Sequence, residues 1–165
     1  MSKKLRMLAA AAVLASAAIA TQAPSASAWD CTPGYWKNHT SAWPGMATSK
    51  TGVTMNLSPS TRVGDVFPGA NVTADWTLLQ ALQGGGGKGA DGAAVILARA
   101  AVAAWLNAAN DDLGYPWRRE QVGVDGRPPL VDTVNAAFAS GDRDTMLALA
   151  TQLDNDNNGT GCPLN

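Results

Sequence analysis

The sequence predicts a mainly α-helical domain. About four helices carry an irregular N-terminal segment wrapped on them, and one disulfide joins the ends. Three observations point there. Apolar residues recur at helical spacing in four blocks between residues 73 and 154, and glycine or proline separates the blocks. Residues 29–72 are rich in Pro, Gly, Ser and Thr and show little sustained periodicity. The only two cysteines, Cys31 and Cys162, stand at opposite ends of the chain that follows a leader-like segment.

That leader is residues 1–28. Lys3, Lys4 and Arg6 form a positive start, an apolar run follows from Met7 to Ala20, and Ala26-Ser27-Ala28 is an A-x-A cleavage site. The mature domain expected is residues 29–165, secreted or held at the cell surface. The apolar run is shorter than the ~20 residues of a membrane span. Without the leader the chain carries nine Lys+Arg and thirteen Asp+Glu, a net charge of −4. That balance lacks the basic footprint of a nucleic-acid binder, and no cationic amphipathic stretch suggests a lipid surface. An exported chain with two cysteines most simply forms one disulfide, here Cys31–Cys162. A loop of that length is assigned about 5 kcal/mol by the chain-entropy model. This is comparable with the whole stability of a small domain, so reduction is expected to be poorly tolerated.

The elements follow in order. Trp36 to Trp43 suggests a short helical turn, and Ser58-Pro59-Ser60-Thr61 a turn leading to an apolar face of Val63, Val66 and Phe67. Thr73 or Asn71 is expected to cap the first long helix, with Asp75 in its first turn and Trp76, Leu79 and Leu82 on one face. Four glycines, 84–87, end it, because their backbone entropy opposes helix. The second helix, residues 91–110, is alanine-rich, and Arg99 is the only charge between Gly92 and Asn110. It is apolar nearly all round and therefore central. A membrane-spanning reading is poor, since alanine is weakly hydrophobic and Arg99 sits mid-segment. Residues 115–129 read as a loop with a short extended piece at Gln121-Val122-Gly123-Val124. Pro129 suits the first turn of a helix running to about Ser140, with Leu130, Val134 and Phe138 at spacing four. Gly141 stops it. Asp142 caps the last helix, which buries Met146, Leu149 and Leu153 and is expected to end at Asp154.

The N-terminal stretch Cys31-Thr32-Pro33-Gly34-Tyr35-Trp36-Lys37-Asn38-His39, followed by Trp43, is dense in special residues. With the L-L-x-A-L of residues 78–82, the A-A-x-L-N-A-A helix within 100–109 and the C-P-L of 162–164, it resembles a family of exported bacterial and archaeal surface proteins with a C-T-P-G-[YF]-W-K-x-H start. The resemblance spans the whole mature domain. It implies a self-contained extracellular module, alone or attached to larger proteins, and carries no mechanism. Two readings of the motif stand. In one, Tyr35, Trp36 and Trp43 are core residues, and Lys37 and His39 make local hydrogen bonds. In the other, Tyr35, Trp36, Lys37, His39 and Trp43 form an exposed platform that stacks on sugar rings and binds their hydroxyls.

Catalytic signals are sparse. His39 is the only histidine, and no serine sits in a nucleophile-elbow motif. Asp111 and Asp112 read as a helix end or solvated face, and Glu120 as a solvated ion pair beside Arg118 and Arg119. The chain's end offers one metal candidate. Asp154-Asn155-Asp156-Asn157-Asn158-Gly159 matches the first half of an EF-type calcium loop, with Asp154, Asp156 and Asn158 as side-chain ligands and Thr160 as a carbonyl ligand. The match fails at the twelfth position, Asn165, where a bidentate glutamate is expected. The other reading of that stretch is a polar helix cap. The sequence thus points to a non-catalytic structural or interaction module. No cofactor is required, though calcium is possible, and the partner is a cell-surface polysaccharide or an extracellular protein. A carbohydrate-binding module is the alternative, and an extracellular hydrolase using His39 is the weakest reading.

Overall fold

The computed structural model describes residues 31–48, 54–110, 113–159 and 161–164. The leader, with the cleavage point expected after Ala28, lies outside the described residues, as do Asp111, Asp112 and Thr160.

The N-terminal segment is more ordered than its composition suggests. Helix α1 (Pro33–Asn38) starts where the Thr32 hydroxyl accepts the Tyr35 N–H at 3.0 Å. Pro33 fits its first turn because an N–H there has no intrahelical partner. A 3-10 turn (Thr40–Ala42) follows. Strands β1 (Met46–Thr48) and β2 (Thr54–Asn56) then pair antiparallel, with Ala47 opposite Met55. Helix α2 (Val63–Val66) is one turn long. Each element is too short for its period to show in the sequence. Val63, Val66 and Phe67 are buried together, as expected.

Helix α3 (Leu78–Gln83) begins later than Thr73. The Thr77 hydroxyl accepts the Gln80 N–H at 3.1 Å, and the Gln80 side chain accepts the Thr77 N–H at 2.8 Å. This reciprocal capping box fixes the start at Thr77, and Trp76 falls in the preceding turn, where it is half-buried.

Helix α4 (Gly89–Asn107) is the centre of the fold, with thirteen of its nineteen residues buried. By length and composition it could cross a bilayer. In the fold it is covered by α1, α3, α5 (Leu130–Ser140) and α6 (Arg143–Asn157), and α6 packs along it most extensively. Its alanines let those neighbours approach closely, while Arg99 points to solvent. The glycine run between α3 and α4 lies on α4 itself. A Cβ at Gly92 would collide with the Gly87 backbone.

The last two helices follow the sequence closely at their starts. Leu130, Val134 and Phe138 are buried on α5. Gly141 ends α5 in the left-handed region at φ 62°, a conformation other residues adopt only at a cost. The Asp142 carboxylate accepts the Thr145 N–H at 2.7 Å and opens α6. That hydrogen bond holds the Asp142 carboxyl below the usual carboxylate range. The end of α6 differs from expectation, since the helix runs on to Asn157. The mainly helical class holds, with the four expected helices as α3 to α6 and two short helices, α1 and α2, before them. The Cys31–Cys162 disulfide is present and spans 131 positions.

Candidate functional site

The aromatic motif is inside the molecule. Trp36 is fully buried, and Trp43 and Tyr35 are 8% and 9% exposed. The Tyr35 and Trp36 rings meet edge to face with centroids 5.3 Å apart. Trp43 donates its indole N–H to the Trp36 carbonyl at 2.9 Å. Of the five residues in the candidate platform, only Lys37 and His39 are exposed. His39 stacks on Tyr35, with centroids 4.2 Å apart and planes 12° from parallel. Its Nδ1 lies 2.9 Å from the Tyr35 carbonyl. The exposed aromatic platform is therefore corrected to a core cluster with a polar edge. Desolvation is the reason: these rings fill space against α3 and α4, and two indole N–H groups find acceptors indoors.

The acceptor for Trp36 is Asn107, which the sequence reading passed over. Asn107 is fully buried on α4. Its Oδ1 accepts from the Trp36 indole at 2.9 Å and from the Cys31 N–H at 3.1 Å. Its Nδ2 donates to the Cys31 carbonyl and to Asn157 Oδ1, each at 3.0 Å. Asn157, also fully buried, accepts the Tyr115 hydroxyl at 2.7 Å and donates to the Ala100 carbonyl at 3.0 Å. A signal for this was available. Asn107 is a lone amide on the buried face of an alanine-rich helix, and a buried amide requires partners.

The 115–129 loop is pinned to the core by its arginines. Arg127 donates to Asp156 at 2.6 Å and lies over the Trp117 ring, while Trp117 donates its indole N–H to the same carboxylate at 2.7 Å. Arg127 also forms a multiply hydrogen-bonded pair with Asp125. That pairing holds the Asp125 carboxyl below its ordinary value and raises the Arg127 guanidinium. Arg119 stacks 3.6 Å above Trp105 and donates to its carbonyl at 3.0 Å. Burial pushes its pKa down to about 9, opposed by the charge of Glu120. The solvated ion pair expected at Arg119 and Glu120 is thus a half-buried structural contact. Burial of apolar stems and ring stacking favour that position over full hydration.

The calcium candidate also changes character. Asp154 and Asp156 lie in the last turn of α6, and Asn158 is its cap, donating to the Asp154 carbonyl at 2.6 Å. Thr160 lies outside the described residues. The reason is tertiary. Asp156 is held by Trp117 and Arg127, and Asn157 is drawn into the core, so the backbone stays helical one turn further than local preference dictates. Burial raises the Asp154 carboxyl above the usual range, opposed by Arg99. Among the described residues no three His, Cys, Asp or Glu side chains gather as a metal site.

One open depression of about 230 Å³ lies between α4, α5 and α6, lined by Val72, Ala90, Asp91, Ala94, Phe138 and Met146 among others. The chain matches no family model, no curated protein and no solved structure.

Proposed function

We propose that this chain is an exported, non-catalytic structural or interaction module that works at or outside the cell surface. The observation that carries the reading is the end-to-end Cys31–Cys162 disulfide, a bond that persists in oxidising compartments. The leader pattern of residues 1–28 supports the same location, and so does the resemblance to exported surface modules. The use of Trp36, Trp43, Trp105 and Trp117 as core supports a scaffold whose partners meet its outer polar surface. For the carbohydrate-binding alternative, the exposed groups of the motif reduce to Lys37, Asn38 and His39.

The test is fractionation of cells producing the full chain, with thiol alkylation and N-terminal sequencing. The reading expects protein outside the cytoplasmic membrane, beginning at Trp29, with no free thiol. Cytoplasmic protein with both thiols alkylated overturns it. A second arm incubates that protein with insoluble polysaccharides and cell walls. Retention that disappears in a Lys37→Ala/His39→Ala variant would replace the structural reading with glycan binding.

A further inference from the structure

The two cysteines of the disulfide are unequally buried. Cys31 is fully buried, and Asn107 grips its backbone at both the N–H and the carbonyl. The residues that follow it are anchored by Trp36 on the same amide. Cys162 is half-buried, in a non-helical tail of residues 161–164. The Tyr35 hydroxyl donates to the Leu164 carbonyl in that tail at 2.8 Å, and the Cys162 and Leu164 side chains rest partly on the core. Thiol exchange requires the attacking thiolate to approach one sulfur along the S–S axis, so access selects the sulfur attacked.

We propose that this disulfide is a directional thiol-exchange site, in which an incoming small thiol joins Cys162 and Cys31 is the leaving group. The thiolate sulfur bonds to Cys162 Sγ. The Cys31–Cys162 bond breaks, and its electron pair goes to Cys31 Sγ, which takes a proton from solvent. The product is a mixed disulfide at Cys162 with a free thiol at Cys31. Asn107 keeps the N-terminal segment in place, whereas the C-terminal tail loses its covalent anchor. Release of the tail frees the Tyr35 hydroxyl from the Leu164 carbonyl, on the ring that stacks with His39. The site acts as a strap over one end of the aromatic motif, opened by thiols and closed by Cys31 attacking the mixed disulfide.

The probe is reduced glutathione added to the oxidised, signal-cleaved chain, followed by rapid alkylation, peptide mapping and hydrogen exchange at the same time points. The expected result is glutathione on Cys162 and the alkyl label on Cys31, with new exchange appearing in residues 161–164 before it appears in α4. Glutathione on Cys31, an even distribution, or exchange that appears first in α4 overturns the proposal. A Tyr35→Phe variant separates the strap from simple access. Loss of its hydrogen bond to Leu164 is expected to speed adduct formation about fivefold, the weight of one hydrogen bond. An unchanged rate overturns the strap.

Discussion

The side-chain amides of Asn107 and Asn157 meet at 3.0 Å in the core, and both residues are fully buried. Through this contact α4 and α6 are joined to Cys31, Trp36 and Tyr115 in one hydrogen-bond network. Asn107 fills two acceptor and two donor positions, so its partners depend on it together.

Asn107→Ala is expected to destabilise the domain by about 3 kcal/mol, because the buried Cys31 backbone groups and the Trp36 indole lose their partner while remaining out of water. Urea unfolding followed by circular dichroism measures it. A loss below about 1 kcal/mol would show that the N-terminal segment does not depend on this amide.

The disulfide makes a separate contribution through the unfolded chain. Replacing both cysteines by serine is expected to lower the unfolding free energy by up to about 5 kcal/mol. A variant with an unchanged urea midpoint contradicts the chain-entropy account.

Asp156→Ala removes the acceptor shared by Trp117 and Arg127. The expected loss is about 2 kcal/mol, in the range for hydrogen bonds to a charged group. Hydrogen exchange should rise in residues 115–129 before it rises in α4. Uniform loss of protection along the chain would mean that the carboxylate does not pin the loop.

Asp154 gives a pH signature. Burial raises its carboxyl in the folded state, so the folded protein binds the proton more tightly than the unfolded chain. Any such contribution is complete at pH below the ordinary carboxylate value and is lost as pH rises through the raised value. The ionised carboxylate also sits at a helix C-terminus, where negative charge is unfavourable. Asp154→Asn should therefore raise the melting temperature at pH 7 and leave it nearly unchanged at pH 3. An equal gain at both values would assign the effect to something other than ionisation.

Helix α5 was readable from sequence because its signals are local. Leu130, Val134 and Phe138 repeat at one face, and Gly141 supplies the left-handed stop. The end of α6 was not. Its run of Asp and Asn has the composition of a turn, and the partners that hold it helical, Trp117, Arg127 and Ala100, come from 29 to 57 positions away. The aromatic motif fails for the same reason. Nothing between Cys31 and Trp43 states whether its rings face water, since the deciding acceptor for Trp36 is Asn107, 71 positions along the chain. Periodicity reports a helix face, whereas a pairing between distant polar atoms leaves no local trace.

The glycines that bear on α4 have a consequence for the chain's length. Gly87 rests directly on Gly92, and Gly86 lies against Ile96, so the run touches the helix at successive turns. Its composition is that of a slack tether, but its position makes it a ruler between α3 and α4. One glycine more or less there shifts the register of both contacts, whereas the same change in a free linker has little thermodynamic effect.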